Sequence, residues 1–436
     1  MPRLLPAAVF AVALASLPAL ADQRITITPL KAPSPPLGEA TFPNGRTLPL
    51  NMGYGSAAFR AAGDPEGVIW TVTDRGPNID CGEAKETVGL TEKELCGGDR
   101  NAKIFPQPAF VPTIHKLQIA TDGAVTVLAT LPLRDRSGRP VTGLPNPLKA
   151  ANTEGAFDTG GKALPFDPSG LDSEALVRLA DGSFWIGEEY GSSILEVAPD
   201  GTIRRRLVPR GIDKDLSGAE YDVVPALPAI VAKRQLNRGI ENLALSPDEA
   251  FLYVLMQSPL ANPDAAAYRA SANVRLWKIE RASGTVVSEY VYRLDDPATF
   301  RADNAGKAQK QNDVRLSEMV AVGPDRLLVL ERINKTTKLY LVDLSSGTPV
   351  PASYDETATM PSLEQLSVAD LGKAGIRPLA KSLILDSDDF TGFPAKVEGL
   401  ARLSERELIM VSDSDFGVTG AGTAMLRVTF AEPVLK

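Results

Sequence analysis

The sequence predicts an all-β protein, a β-propeller of five to seven four-stranded blades with loop and helix insertions. Three observations carry this expectation. Four segments repeat one pattern: a glutamate, a short apolar strand, a turn of Asp, Gly, Ser or Pro type, and a second apolar strand. They begin at Glu174, Glu241, Glu318 and Glu398. Widely spaced copies of one hairpin mark a repeat architecture, and for all-β units that is usually a propeller. The 436 residues hold 36 glycines and 35 prolines, as many turns and few long helices require. Finally, further short strands follow each hairpin, and four antiparallel strands make one blade.

The elements follow in chain order. Residues 1–21 read as a signal peptide. Arg3 supplies a positive start, 4–17 an apolar stretch, and Ala19-Leu20-Ala21 a small-x-small cleavage site before Asp22. The stretch is short for a membrane anchor and is interrupted by Pro6 and Pro18. No linker divides residues 22–436, which read as one domain. Residues 25–28 alternate Ile and Thr, a strand signal. The first hairpin, 56–60 and 68–74, lacks the leading glutamate, and its outer pair is 114–119 and 125–131. Between the two pairs lie Cys81 and Cys96, the only cysteines. In an exported chain they are expected to form one disulfide across loop 80–100.

Residues 132–172, rich in Pro, Gly and Asn, read as a functional or capping insertion. The second blade is the clearest: strands 175–179, 184–187, 194–197 and 203–208, with turns at Asp181-Gly182 and Asp200-Gly201. The third runs from 241 to 294 around an Ala-rich insert at 261–272. The fourth starts at Glu318, carries a helix expected at 361–375, and ends near 383–385. The fifth runs from Glu398 to 430. Five blades are visible. A sixth would hide in 132–172 or be completed by the N-terminal strand.

In an antiparallel hairpin the start of one strand lies beside the end of its partner. The leading glutamates should therefore share a rim with Asp74, Glu188, Glu189, Gln257, Glu331, Asp413 and Asp415. With the first strands innermost, several carboxylates converge on one channel mouth. Like charges repel unless compensated, and a hard cation is the natural compensation. Calcium takes six to eight oxygens, so Ca2+ is expected on Glu174, Glu241, Glu318 and Glu398, with Asn78, Asn237 and Asn242 nearby. Zinc is disfavoured in a chain with one histidine. The competing reading makes these glutamates blade-edge residues bonded to backbone or arginine.

Arg75, Asn78, Arg238, Arg332 and Lys396 are expected to bind an anionic substrate, with Arg315 and Lys335 close by. Pairing of these cations with the glutamates, leaving a neutral plug, stands as the alternative. Asp74 and Glu241 are the expected catalytic carboxylates. His115 reads as structural. No nucleophile elbow, phosphate loop, dinucleotide fingerprint or His-Glu-x-x-His occurs, which leaves metal-activated water or a carboxylate base for any hydrolysis. A net charge of −8 without a basic block argues against nucleic acid.

Several motifs resemble one family: Asp74-Arg75-Gly76-Pro77-Asn78, the Pro-rich run from Phe105 to Ile114, Leu171-Asp172-Ser173-Glu174 and Asp181-Gly182-Ser183-Phe184-Trp185-Ile186-Gly187-Glu188-Glu189-Tyr190. Asn237-Arg238-Gly239-Ile240-Glu241-Asn242-Leu243-Ala244 and Val397-Glu398-Gly399-Leu400-Ala401 complete the set. They are similar to the exported bacterial "esterase-like activity of phytase" family. The resemblance implies a phytase-like propeller with esterase or phosphoesterase activity. By analogy with calcium-dependent phytase propellers and gluconolactonase-type propellers, it supports the four leading glutamates as metal ligands. The expectation is a periplasmic or secreted monomer, free of the membrane after signal cleavage, that hydrolyses a small anionic ester. A non-catalytic binding propeller and a lactonase are the alternatives.

Overall fold

The computed structural model describes residues 24–436. The signal-peptide reading of 1–21 lies outside the described residues.

Five antiparallel sheets form the blades. Blade 1 comprises Ala57–Phe59, Val68–Val72, Thr113–Ile119 and Val125–Pro132. Blade 2 comprises Ser173–Arg178, Phe184–Glu188, Ser193–Val197 and Ile203–Pro209, and adds Asp222–Leu227 in parallel at its edge. Blade 3 is Ile240–Leu245, Phe251–Met256, Asn273–Glu280 and Thr285–Arg293. Blade 4 is Arg315–Gly323, Arg326–Arg332, Thr337–Asp343 and Lys381–Asp386. In blade 5, Val397–Arg402, Glu407–Ser412 and Met425–Phe430 are joined by the N-terminal strand Ile25–Leu30. The first strand of each blade packs against the first strand of the next, and blade 5 returns to blade 1. These five strands surround the central channel and are nearly continuously buried.

Among the described residues the count is therefore five, at the lower bound of the expected range. No sixth blade lies in 132–172, where the only strand is the dipeptide Ala156–Phe157. The N-terminal strand completes blade 5, with Ile25 opposite Phe430 and Leu30 opposite Met425. Both ends of the described chain are thus held in one sheet, and the ring has no free seam.

Local sequence explains the hairpins. At Asp181-Gly182 and Asp200-Gly201 the glycines take φ of 88° each, where a side chain is strained. The preceding aspartates accept hydrogen bonds from Ser183 N and Thr202 N, which fixes the turns. The expected helix at 361–375 is two short pieces, a 3-10 turn at Leu363–Gln365 and a helix at Val368–Lys373. Ser362 and Ser367 each cap a new start, and this splits the period. The Ala-rich insert of blade 3 contains the helix Ala265–Ala270.

One side of the ring carries a cap. Cys81 and Cys96 form the expected disulfide. Their loop buries Ile79, Ala84, Val88 and Leu95 against Phe42, Leu48 and Leu50 of the hairpin Pro36–Thr41/Thr47–Asn51. Ala156–Phe157 pairs in parallel with Lys103–Ile104 and so ties insertion 132–172 to the disulfide loop. This small sheet places Lys103 and Glu154 beside the channel mouth.

Candidate active site at the channel mouth

The first strand of each of blades 2 to 5 carries its glutamate at the same end. Glu174, Glu241 and Glu398 face one another closely enough for their charges to interact, and Glu318 interacts with Glu241. Asp74 from blade 1 and Asp172, two residues before Glu174, complete the group. Asp74, Asp172 and Glu174 each offer a carboxylate oxygen within 4.8 Å of the others. Burial raises the pKa of Glu174 well above the carboxylate range, and Asp172, Asp74, Glu241 and Glu398 add to it. Asp74, Glu189 and Asp413 are likewise pushed well up, first by burial and then by neighbouring carboxylates. Glu241 rises to about 7, through burial and then the charge of Glu398, while Arg332 and the Ser317 hydroxyl pull the other way.

The four expected metal ligands are not equivalent. Glu318 accepts hydrogen bonds from Ala58 N (3.2 Å) and Met319 N (3.0 Å), so both of its oxygens are engaged by backbone. Glu398 pairs with Arg332. Glu241 accepts from Ser317 Oγ at 2.9 Å and from Gln257 Nε2. Among the described residues Glu174 alone of the four makes no such bond. The compact carboxylate set is Asp74, Asp172 and Glu174 rather than the ring of four.

The expected anion binders also separate. Arg75 is buried; its guanidinium donates to Asp172 Oδ2 (2.7 Å), Glu154 Oε1 (2.5 Å) and Asn237 Oδ1 (3.1 Å) and lies 4.9 Å over the Tyr190 ring. Its donors are consumed by the protein, and it holds Asp172 in place. Asn78 donates to Gly76 O at 3.0 Å and braces the turn after Asp74. Lys396 pairs with Asp415, which it holds below the usual range against the upward push of burial. Arg332 donates to Ser317 and Glu398. Arg238 lies beside Tyr268, Glu189 and Glu241, and its buried Nε has no partner among the described residues.

Two rim positions read from sequence face elsewhere. Glu188 is sealed against Arg206 at 2.7 Å, and Glu331 accepts from Tyr292, Asp295 N and Lys381. Side chains alternate along a strand, so neighbouring positions point to opposite faces. His115 is buried against Tyr54, and burial lowers its pKa to about 4, which keeps it neutral and structural.

Backbone strain concentrates here. Ser192, Asn237, Lys396, Asp415 and Phe416 all adopt positive φ, between 46° and 53°. Such strain persists only where surrounding structure enforces it, and it clusters at working sites. Sequence reasoning placed Asp172 in a family motif but gave it no role at the site, and it did not single out Glu154. The signal for Asp172 is its place two residues before a leading glutamate; Glu154 carries no pattern.

Fold and mouth together define a five-bladed propeller with an acid-and-arginine channel mouth. The chain belongs to the Phytase-like family, described as esterase-like activity of phytase, which it matches over residues 56–416. It is 27% identical over 271 residues to an uncharacterized secreted protein of Arthroderma benhamiae, a match covering 55% of this chain. The match spans about half of that relative's length (49%). Among solved structures it is similar to the PQQ-bound aldose sugar dehydrogenase of Streptomyces coelicolor. Identity there is 8%, the TM-score 0.31, and coverage 93% of this chain and 98% of that one. It is also similar to virginiamycin B lyase of Staphylococcus aureus (10% identity, TM-score 0.31, coverage 93% and 99%). Similarity this remote says nothing about chemistry.

Proposed function

We propose that this protein is an exported, metal-dependent hydrolase of a small anionic ester, working at the acidic channel mouth. The observation that supports this best is Glu241, a buried carboxylate whose pKa of about 7 suits a general base or acid, set among arginines and free carboxylates. Membership of the esterase-like family agrees with it. Asp74, Asp172 and Glu174 fit a hard divalent cation such as calcium: three oxygen donors in close reach, two of them raised in pKa by mutual repulsion after burial. When bound, such a cation would supply charge stabilisation at an ester oxygen and acidify water. Glu318, its oxygens already engaged, is left as a structural plug. Arg75 orients Asp172, while Ser317 and Gln257 hold the Glu241 carboxylate. Glu241 takes the proton from the attacking water.

Export is supported by the disulfide, the apolar N-terminal stretch and the secreted relative. Among the described residues no helix is long and apolar enough to cross a membrane.

A second reading, a binding propeller without catalysis, is favoured by the cations already paired inside the mouth: Arg75, Arg332 and Lys396. A panel of p-nitrophenyl phosphates, phytate, carboxylic esters and lactones, with calcium or chelator, separates the two. Expected is turnover that requires calcium, falling at least about a hundredfold in Glu241→Gln. Inactivity on the whole panel would favour the binder. Turnover indifferent to chelator and to Asp172→Asn would reject the cation.

A further inference from the structure

Tyr190 follows the second strand of blade 2 and is buried, with two cations against its ring. Arg75 lies 4.9 Å from the ring centre and Arg234 5.4 Å. Its hydroxyl is engaged twice. Glu154 N donates to it at 2.7 Å, and Thr153 Oγ1 lies 2.5 Å away. The one proton of Thr153 goes to Asn146 O at 2.8 Å, so the tyrosine hydroxyl donates to the threonine and accepts from the backbone of Glu154. Burial, and then the charge of Glu154, pushes the phenol up to about 12, so this proton stays in place at neutral pH.

This hydroxyl fixes the residue that reaches the mouth. Glu154 pairs with Arg75, and Arg75 donates to Asp172 through Nε at 2.7 Å and through its backbone N at 3.3 Å. Arg234 ties the same segments together: it donates to Tyr190 O and to Asn152 O, two residues before Glu154. Among the described residues Arg234 makes no ion pair, and its buried Nη1 has no partner. Burial lowers its pKa despite Tyr190, Glu188, Glu189 and Glu154 nearby. A buried guanidinium held only by carbonyls and an aromatic face is a costly way to stabilise a loop. Such a cost fits a loop whose position matters to the site.

We propose that Tyr190, flanked by Arg75 and Arg234, is a positioning residue for Asp172: it locks the Glu154–Arg75 pair that aims this carboxylate at Asp74 and Glu174. The hydroxyl sets where Glu154 stands, and the ring face steadies the Arg75 guanidinium. Arg75 then reaches Glu154 and Asp172 at once. Groups that hold a metal ligand in orientation contribute to metal affinity without touching the ion. The calcium arm of the test rests on the cation reading of Asp74, Asp172 and Glu174; the linkage from Tyr190 to Asp172 does not.

The test is calorimetric titration of the full chain with calcium chloride alone, for the wild type, Tyr190→Phe and Tyr253→Phe. Tyr253 is the control: it is buried, and its hydroxyl likewise donates to a neighbour and accepts from backbone, both on Asp325 in the hairpin turn of blade 4. Expected is about a tenfold loss of calcium affinity in Tyr190→Phe and none in Tyr253→Phe. A merely structural tyrosine would lower Tm and leave calcium affinity alone. The second measurement is a double-mutant cycle in chelator: urea unfolding of the wild type, Tyr190→Phe, Asp172→Asn and the double variant. Among the described residues these two side chains share no hydrogen bond, so linkage through Arg75 should make their effects non-additive. A wild type that binds calcium no more tightly than Tyr190→Phe does overturns the proposal, and so do additive effects in the cycle. A wild type that binds no calcium, with effects that remain non-additive, would reject the cation reading and uphold the positioning role.

Discussion

Replacing Glu241 by Gln should change how stability depends on pH, by an amount the structure fixes. In the folded chain this carboxyl titrates at about 7 instead of 4.5, first because it is buried and then because Glu398 repels its charge. Its folded pKa is raised, so between these values the folded state holds a proton that the unfolded state has released. Stability must then fall as pH rises through the window, at about 1.4 kcal/mol per pH unit. From pH 4.5 to 7 this removes about 3 kcal/mol from the wild type. Glu241→Gln has no such loss. The substitution is sterically mild: Ser317 and Gln257 remain as partners, and the buried Gln257 Oε1, which has no partner, can accept from the new amide.

The assay is urea unfolding of both proteins in chelator at pH 4.5 and pH 8. The quantity to follow is the variant's stability minus that of the wild type, which cancels titrations common to both. It should rise by up to about 3 kcal/mol between the two pH values. A difference that stays flat, or moves the other way, would refute the claim that burial and Glu398 raise this carboxyl to about 7 in the folded chain.

Other perturbations test the scaffold. Arg75→Ala leaves the buried Asp172 and Glu154 without their shared cation and should cost about 3–5 kcal/mol in urea unfolding. Arg75→Lys should recover only part of this, since an ammonium cannot reproduce the forked contacts; full recovery would contradict the geometry. Breaking the disulfide with Cys81→Ser should cost roughly 3 kcal/mol and loosen the cap before the ring. Hydrogen exchange should then rise in residues 79–104 while the first strands of the blades stay protected. Uniform loss of protection would show that cap and ring unfold together.

Blade strands, hairpin turns and the recurrent glutamate were legible because each is written locally. Alternation marks a strand, Asp-Gly marks its turn, and a residue at a fixed offset in each repeat must fall on one rim. The number of blades was not so written. It depended on whether Ile25–Leu30 found an edge, and that edge, Met425–Phe430, lies at the far end of the sequence. The chemistry of each rim residue was equally remote. Glu318 is occupied because Ala58, 260 residues away, turns its N–H toward it. Arg75 is occupied because insertion 132–172 brings Glu154 to it, and no pattern in that insertion announces the contact.

By itself the chain determined the propeller repeat, the disulfide pair and the ends of strands where acids and arginines gather. Only the tertiary structure decided which of those charges are spent on one another and which stay available. A strand's period is set by its own backbone, whereas the partner of a buried charge is set by whatever segment the closed ring delivers to it.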